Sequence, residues 1–492
     1  MKQRITYVVT NPEDFTPDQL DVGEDKSGPY FALDNVHAAK EHRITLGLNE
    51  LPEEISKVFQ QWHELHLRWT SPRPYASTPP FTSRVSPGLH IFFTPLSDTP
   101  DDALCSSLHS LISSDLKCSS TSSSSTKMPV LSERFSMSAT SQYYSYLDDI
   151  DRVRSFFQQK SCKKDGKSYC LDAIDGFALS DYVDVDYDTI SRSVVLTAES
   201  SNAGSSNKGW TETIRLPSKE ATVEIGVLSL EGNADPEDVQ FGGFLTVLGQ
   251  DDKPTPHLTP PDRSCKLHTH LTLPSYLFID KYQFSDALFL ADKNLRRLRS
   301  LAGATDLEAP DWVVPAWGSA ALFELAIPKP EKIEYPKVSL GDGEESVWED
   351  LPTHGEVPEG DWNVSIPLHL RYMPAQAASH ARLPVPWPVV FWACRADSGA
   401  QHTTNPFDRL HLGYEGLFGP KTRFMHVEPK AWNQTGSDGL VEWINVPVLD
   451  TRMAGWVEGG TVGVVLFAFV GLCWMLFRNI GKGDVKDEKK KQ

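Results

Sequence analysis

Short segments in which apolar and polar side chains alternate recur through the middle and later parts of the chain. Thr222 and Glu224 alternate with Val223 and Ile225, and a similar two-residue period runs through KLHTHLTLP (266–274). This is the period of a β-strand with one buried face. Runs such as SVVLTAE, FGGFLTVLG and SYLFID are rich in β-branched and aromatic residues and are bounded by glycine, proline or polar clusters. The pattern predicts a mainly β fold, with an antiparallel β-sandwich-like body.

The spacing of these segments predicts where the domains lie. We expect an N-terminal region of unassigned role over residues 1–134, and one β-rich domain over 135–453. An acidic loop at 328–360, rich in Pro, Glu and Gly, interrupts that domain. Residues 50–69, ending WHELHLRW, have a helix-like pattern, and the Ser-rich segment SSTSSSSTK (119–127) is typical of a disordered loop.

One segment near the C-terminus is long and apolar enough to cross a bilayer. Residues 459–477, GGTVGVVLFAFVGLCWMLF, contain no charge. A helix of this length is about 28 Å long at ~1.5 Å per residue, close to the ~30 Å hydrocarbon core of a membrane. Trp456 and Trp474 lie near its two ends, where aromatic rings favour the interface. We predict one transmembrane helix over 457–478 and a basic tail over 479–492.

Charge is spread unevenly along the 492 residues, which carry 47 Lys and Arg against 66 Asp and Glu, a formal net charge of −19. From Arg478 to Gln492 the six cations outnumber three acids, which leaves −22 on the rest of the chain. An acidic body argues against a nucleic-acid partner. Cations that follow a span favour the cytosolic side, so the body would lie in the lumen of the secretory pathway or outside the cell.

Two further patterns agree with a lumenal body. Asn363 and Asn433 begin N-glycosylation sequons. Lys489 and Lys490 stand where a dilysine retrieval signal would be read in the cytosol. The opening residues, MKQRITYVVTNPEDF, lack the apolar core of roughly 7–15 residues that a signal peptide needs. An unconventional route of translocation, a longer true start and a reversed topology with a cytosolic body therefore stay open.

Cysteines add one expectation about covalent structure. Of the seven, Cys473 lies in the span and six lie in the body. An even number in a lumenal body permits disulfide bonds, whereas in a cytosolic body the same residues would be buried thiols. Cys162 and Cys170 bracket a short polar loop, and we expect that they could close a small ring.

Two polar clusters resemble catalytic or metal-binding motifs without completing one. In His63-Glu64-Leu65-His66 the histidines are three residues apart, whereas the zinc-protease helix needs HExxH. Two partly exposed histidines on an amphipathic helix are the simpler interpretation. Asp184 and Asp186 form an Asp-x-Asp pair of the kind that holds a divalent cation. Alternation with apolar neighbours favours instead a strand with a solvated acidic face.

Two other matches are weaker still. His268 and His270 share one face of a predicted strand, but without a third ligand a sheet surface is the better interpretation. Ser161 and Lys164 have a serine–lysine spacing in a charged loop. We therefore predict no catalytic residue, no cofactor and no metal site, and expect a binding or scaffolding role.

The later part of the chain resembles a known family. The resembling segments are LPSYLFIDKY (273–282), DLEAPDW (306–312), WGSAALFEL (317–325), IPLHLRYMP (366–374) and PWPVVFWAC (386–394). Together with the terminal span they are similar to the PIG-X family and its longer fungal counterpart, the protease-B-nonderepressible type.

This resemblance implies a function. Members of the family are auxiliary subunits of the endoplasmic-reticulum mannosyltransferase that adds the first mannose to the glycosylphosphatidylinositol (GPI) anchor precursor. The implied partner is a multispanning catalytic subunit of the PIG-M type, which the auxiliary subunit stabilises without transferring sugar itself. Two alternatives are a general lumenal chaperone or quality-control factor, and a metal-dependent sugar transferase built on Asp184 and Asp186.

Small residues on the predicted span provide a candidate contact with that partner. Gly459, Gly460 and Gly463 lie at its lumenal end, and small side chains let helices approach closely in lipid. Ordinary glycine content of a membrane helix would explain the same pattern. Arg371 and Tyr372 of a motif strand are the alternative contact, although Arg371 equally fits a structural ion pair.

Overall fold

A computed structural model describes most of the chain. It covers residues 2–9, 15–75 except 27 and 52, 84–128 except 115, 139–150, 180–200, 209–215, 222–229, 241–242, 260, 264–327 except 307 and 308, 364–395, 417–418, 422–430 except 428, and 439–487.

The described residues form 23 strands and five α-helices. The first twelve strands are β1 (Lys2–Val9), β2 (Leu20–Asp25), β3 (Gly28–Val36), β4 (Ala39–Gly47), β5 (Trp62–Thr70), β6 (Gly88–Pro95), β7 (Thr126–Lys127), β8 (Ser141–Ser145), β9 (Tyr182–Asp188), β10 (Ser193–Ser200), β11 (Trp210–Arg215) and β12 (Thr222–Ser229). The others are β13 (Phe241–Gly242), β14 (Lys266–Pro274), β15 (Leu277–Phe278), β16 (Leu295–Gly303), β17 (Gly318–Leu325), β18 (His369–Leu370), β19 (His380–Pro386), β20 (Val389–Arg395), β21 (Thr422–His426), β22 (Pro429–Lys430) and β23 (Val441–Pro447). The helices are α1 (Glu53–Phe59), α2 (Ala103–Leu111), α3 (Thr121–Ser124), α4 (Ala287–Asp292) and α5 (Ala454–Asp487).

The largest sheet has nine strands in the order β12-β1-β4-β10-β9-β5-β6-β8-β7. Its neighbouring strands run antiparallel, except for the parallel pair β1 and β12. Because side chains alternate between the faces of a strand, the sheet has one apolar face. Helices α1 and α2 cover it and complete a core with residues such as Ile55, Leu65, Leu108, Val185 and Leu196.

The opposite face of this sheet is polar and yet buried. Its ionisable side chains with at most 6% of their surface exposed include Glu41, His66, Arg68, Asp184 and Glu199. A face of this composition is stable only when its charges find partners inside the protein. For Arg68 and His66 on β5 the structure supplies Asp184 and Asp186 of the neighbouring strand β9.

A second sheet of five strands, in the order β16-β17-β14-β20-β21, packs on part of the polar face. Phe92 projects from the nine-stranded sheet into a cluster with Leu322, Phe391 and Phe424 of the second sheet. The predicted fold class is confirmed: the structure is mainly antiparallel sheet, with one apolar helix at the C-terminal end. A three-stranded sheet, β11-β3-β2, and the pairs β13–β22, β15–β18 and β19–β23 complete the strands.

Three local expectations meet a different structure. Residues 50–69 contain only the short helix α1, followed by strand β5, because the helix-like spacing ends where the alternation of WHELHLRW begins. The Ser-rich segment is not a loop without structure: it forms α3 and β7. Ser120 caps α3 by accepting a hydrogen bond from the backbone N–H of Ser123. The boundary expected at residue 134 falls between β7 and β8, which pair in one sheet.

Gly318, at the start of β17, shows where the second sheet requires a residue without a side chain. Its φ is +153°, and a Cβ atom there would lie 2.0 Å from the carbonyl oxygen of Leu273. Only glycine permits so close an approach between these two backbones.

The chain divides into two compact units. The larger comprises residues 1–371 and 384–442, and the smaller comprises 372–383 and 443–492. The smaller unit contains α5. The helical stretch that is long and apolar enough to cross a membrane is Thr451–Arg478, which begins in the 3-10 turn directly before α5.

Candidate functional site

The side chain of Arg371 holds several loops of the larger unit together. Arg371 follows β18 and is 3% exposed. Its guanidinium donates hydrogen bonds to four backbone carbonyl oxygens, those of Ser275, Ala304, Asp306 and Ala309. Five N–H donors in a rigid plane suit this task, which a lysine could not perform.

An aromatic ring completes this arrangement, which we call the Arg371 centre. The guanidinium carbon lies 4.3 Å from the centroid of the Phe278 ring, a cation–π distance. The backbone N–H of Arg371 also donates to the carbonyl of Tyr276 at 2.8 Å. Burial lowers the pKa of Arg371, while Asp306 and Asp311 act in the opposite direction. Arg371 is thus structural, as one of the two expectations held, although its guanidinium hydrogen-bonds to backbone carbonyl groups.

The N-terminal part of the chain reaches the same centre through Lys117. Its Nζ donates to the hydroxyl of Ser275 at 2.9 Å and to a carboxylate oxygen of Asp311 at 3.2 Å. Ser275 in turn donates to Asp311 at 2.5 Å. Trp317 adds a second link, since its indole N–H lies 2.9 Å from the carbonyl oxygen of Gln142. Residues before 150 therefore support the loops around Arg371.

Large apolar side chains are exposed on the segments that Arg371 ties together. Trp312 and Val313 are 57% and 60% exposed, and Leu370 is 43% exposed. They neighbour Asp311 and Arg371 in sequence, both of which are buried. Exposed aromatic and aliphatic side chains on segments that are anchored by buried hydrogen bonds are candidates for a binding surface.

The terminal helix α5 presents the predicted glycines on its surface. Gly459, Gly460 and Gly463 have no neighbouring atom within 4 Å of a built Cβ. Gly455, which the sequence reasoning overlooked, extends the spacing of four residues that Gly459 and Gly463 begin. Residues four apart lie on one side of a helix. The expectation that this side contacts a partner stays a prediction.

Comparison with known proteins places these features in a family. Residues 245–477 match the sequence model of PIG-X / PBN1. A protein named pbn1 from Emericella nidulans is 36% identical over 97% of this chain and 95% of its own length. The namesake from Neurospora crassa is 33% identical over 99% of this chain and 97% of its own length. The chain belongs to the PIG-X / PBN1 family. The pbn1 of Aspergillus fumigatus, 37% identical over 97% of this chain and 94% of its own, agrees.

The PIG-X / PBN1 match has a physical counterpart in the Arg371 centre. The matched region contains Arg371, the four carbonyl groups that it binds and the Phe278 ring. The resemblance inferred from the sequence segments is thereby confirmed. Lys117 lies outside the matched region, whereas the pbn1 relatives also align with the N-terminal part of the chain.

The candidate zinc motif has a different structure from the one expected. His63 and His66 lie on strand β5, not on a helix, and His66 is buried. The His66 ring lies 3.1 Å from a carboxylate oxygen of Asp186 on the neighbouring strand β9. This imidazole therefore contributes to contacts within the sheet.

The Asp-x-Asp pair is also internal, so the expected solvated acidic face is wrong for Asp184. Arg68 binds both of its carboxylate oxygens, at 2.7 and 3.0 Å. The two residues stand directly opposite each other on β5 and β9. Burial raises the pKa of Asp184, while the Arg68 guanidinium acts in the opposite direction. A carboxylate occupied by Arg68 is a poor ligand for a cation.

The histidines of β14 are buried rather than on a sheet surface. His268 stacks on Phe391 with 5.6 Å between ring centroids and lies 3.1 Å from Nη1 of Arg299. Burial lowers the pKa of His268 to about 4 and that of His270 to about 3, so both are neutral at physiological pH. In the described part of the chain no group of three or more His, Cys, Asp or Glu side chains is placed to hold a metal ion.

The structure contains two disulfide bonds among its described residues, which the even number of cysteines could not assign. Cys105 bonds to Cys118, and Cys265 bonds to Cys394 across the second sheet. The expected pair Cys162 and Cys170 lies outside the described residues. So do the other predicted sites, which are Ser161, Lys164, Asn363, Asn433, Lys489, Lys490 and the acidic loop 328–360.

Proposed function

We propose that this chain is a non-catalytic, stabilising subunit of the endoplasmic-reticulum mannosyltransferase that adds the first mannose to the GPI-anchor precursor. Membership of the PIG-X / PBN1 family supports a role related to GPI anchors and carries the proposal. The internal use of Asp184 by Arg68 supports the non-catalytic part, because it weakens the best transferase candidate in the sequence. The partner in this proposal is a multispanning catalytic subunit of the PIG-M type.

The two disulfide bonds support a lumenal body. Stable disulfides form in oxidising compartments such as the lumen of the endoplasmic reticulum and are rare in the cytosol. Cys265–Cys394 joins the residue before strand β14 to strand β20, and Cys118 of the other bond directly follows Lys117 in sequence. With α5 as the single span, the body is lumenal and the basic tail is cytosolic in this proposal.

The partner has two surfaces available to it in this proposal. Exposed Trp312, Val313 and Leu370 form a body surface over a rigid support, and Gly459 and Gly463 form a membrane surface on α5. Trp and other large apolar groups at the centre of an interface carry most of its binding energy. We therefore expect the body surface to contribute more than the glycines.

The test of this function is genetic depletion of the chain in its own host. We expect the unmannosylated GPI precursor to accumulate, and the catalytic subunit to decrease in amount. Re-expression of the parent chain restores both, whereas Trp312→Ala with Val313→Ser restores folded protein but not co-purification of the catalytic subunit. Normal GPI mannosylation after depletion would contradict the proposal.

A matched variant separates the two candidate surfaces. Gly459→Leu with Gly463→Leu fills the glycine side of α5, while Val464→Leu with Val465→Leu adds bulk elsewhere on the helix, where both valines are exposed. Loss of co-purification with the glycine variant alone would assign the contact to the membrane surface. Undiminished recovery with both would leave it to the body.

Sidedness is tested independently of the partner. Asn363→Gln and Asn433→Gln should each remove a glycosidase-sensitive mobility shift if the body is lumenal. Digestion of the body by protease added outside sealed microsomes would overturn the topology. Depletion that also impairs unrelated secretory cargo would favour the general chaperone instead.

A further inference from the structure

The smaller unit joins two chain segments directly before the membrane helix. The backbone N–H of Gln376 donates to the carbonyl of Leu449 at 3.1 Å, and that of Thr451 donates to the carbonyl of Gln376 at 2.8 Å. The backbone N–H of Val448 donates to the carbonyl of Ser379 at 3.0 Å. Residues 372–383 are therefore held beside 448–451, only a few residues before α5 begins at Ala454.

This unit exposes large apolar side chains on both of its segments. Tyr372 is 81% exposed, Leu449 66%, Met453 53% and Trp456 81%. Isolated exposed apolar residues are common on soluble proteins. Four of them in the short stretches before and beside a membrane span form an apolar rim that water solvates poorly.

The distance along the helix places this rim near the membrane boundary. The uncharged stretch begins at Gly459, after Glu458. At ~1.5 Å per residue, Trp456 lies about 4.5 Å and Met453 about 9 Å outside it. The headgroup layer on each side of a bilayer is roughly 5–8 Å thick, given ~30 Å of hydrocarbon within about 40–45 Å in total. Trp456 thus falls within the headgroup layer, and Met453 lies just beyond its outer edge.

The smaller unit also carries arginine side chains, which suit the headgroup layer. Arg452 is 64% exposed at its side chain and pairs with Asp450 at 2.7 Å. The guanidinium of Arg382 lies 4.8 Å from the centroid of the Trp443 ring. Arginine beside aromatic rings is favourable where phosphate groups meet the apolar phase.

We propose that the unit formed by residues 372–383 and 443–458 docks on the lipid headgroup layer, with Tyr372, Leu449, Met453 and Trp456 in contact with lipid. The segment 372–383 is thereby a second membrane contact, distant in sequence from the span. This inference requires that α5 spans a bilayer but does not depend on the catalytic partner. Lipid is the expected contact of the apolar rim, because the rim continues the surface of the span.

The first test measures lipid contact in the full chain, reconstituted into phosphatidylcholine nanodiscs. Cys162, Cys170 and Cys473 are replaced by serine, and Leu449→Cys or Met453→Cys is labelled with an environment-sensitive fluorophore. Ile190→Cys, at a 71% exposed residue of the larger unit, gives the reference level, and Phe467→Cys marks the centre of the span. Lipids that carry a nitroxide near the headgroup should quench positions 449 and 453 at least threefold more than position 190. Equal quenching would overturn the proposal.

The second test addresses residues 372–383 without a cysteine. Tyr372 and Tyr282, which are 81% and 66% exposed, are each replaced by the photo-crosslinker p-benzoylphenylalanine. Irradiation in nanodiscs should give lipid adducts, detected by mass spectrometry, at position 372 well above the yield at position 282. Adducts at position 372 no more frequent than at 282 would exclude the second membrane contact, even if Met453 proved lipid-exposed.

Discussion

Two buried arginines, Arg68 and Arg371, solve the same physical problem in different ways. Each is at most 4% exposed. Arg68 lies in the middle of the nine-stranded sheet and binds the carboxylate of Asp184 on the adjacent strand. Arg371 lies among loops and donates to four backbone carbonyl oxygens.

The difference follows from what each region leaves unpaired. Inside a sheet the backbone groups bond to neighbouring strands, so a buried cation needs a side-chain partner. In loops the carbonyl oxygens have no ladder, and one guanidinium satisfies several of them at once. Arg68 therefore links two side chains, whereas Arg371 determines the path of the loops that carry exposed Trp312 and Leu370.

The largest expected effect is at the pair in the sheet. Arg68→Met leaves Asp184 buried without its partner, and removal of one member of a buried pair costs about 3–5 kcal/mol of unfolding free energy. Urea unfolding of the detergent-solubilised full chain, followed by tryptophan fluorescence, measures the loss. The matched double variant Arg68→Met with Asp184→Leu removes both charges and should recover most of the stability. A double variant as unstable as the single one would show that the loss does not come from an unpaired buried charge, and that the pair itself stabilises the fold.

The fold was more accessible to prediction than the roles of these arginines. Two-residue alternation correctly indicated β9, β12 and β14, and the uncharged stretch indicated α5. The alternation could not show that Asp184 is buried, because a charged strand face normally lies in water. The partner of Asp184 is Arg68, which is 116 residues away in the sequence. The alternation of Glu64, His66 and Arg68 is a complementary signal, but only once β5 and β9 are known to be neighbours.

The Arg371 centre lies beyond the reach of periodicity for a different reason. Its acceptors are backbone carbonyls in loops, and a carbonyl has no signature in the sequence. The segments that resemble the family did include Arg371, Phe278 and Ser275, so the resemblance located the centre without explaining it. The disulfide partners Cys265 and Cys394 were likewise undetermined, since six cysteines permit many pairings.

The second largest effect is the loss of unfolding free energy expected when Arg371 is replaced. Arg371→Met should destabilise the chain by about 2–4 kcal/mol, because several buried carbonyl groups lose their donors. No single second substitution can compensate, since the acceptors belong to the backbone. Arg371→Lys should recover little, because an ammonium cannot span four acceptors in one plane. Lys26→Met, at an exposed cation directly after β2, is the control and should change stability by less than about 0.5 kcal/mol.

Arg371 also predicts a functional consequence that Arg68 does not share. At equal amounts of folded protein, Arg371→Lys should reduce co-purification of the proposed catalytic partner, because the exposed loops lose their support. A variant of the Arg68 pair, Arg68→Met with Asp184→Leu, should retain it. Equal retention by both variants would separate the Arg371 centre from partner binding.

The third effect compares a long and a short loop that are each closed by a disulfide bond. Cys265 and Cys394 are 129 residues apart, whereas Cys105 and Cys118 are 13 apart. Closure of the longer loop restricts the unfolded chain more, so Cys265→Ala with Cys394→Ala should lower the unfolding free energy by about 2 kcal/mol or more. Cys105→Ala with Cys118→Ala should lower it by less in the same urea experiment. A larger loss from the short loop would show that local packing outweighs chain entropy.

The smallest effect is a pH dependence from the histidine at the contact between the sheets. Burial lowers the pKa of His270 to about 3, from an ordinary value of 6.5. The unfolded chain therefore binds a proton below pH 6.5 that the folded chain does not, and stability falls as the pH decreases. Between pH 6.5 and 5.5 this one group should remove about 1 kcal/mol.

His270→Phe isolates that contribution, because it keeps a planar ring but cannot bind a proton. The urea midpoint of the parent should fall more steeply than that of the variant between pH 6.5 and 5.5. Above pH 7.5, where the imidazole is neutral in both states, the two curves should run parallel. Identical slopes at acid pH would mean that His270 is protonated in the folded chain.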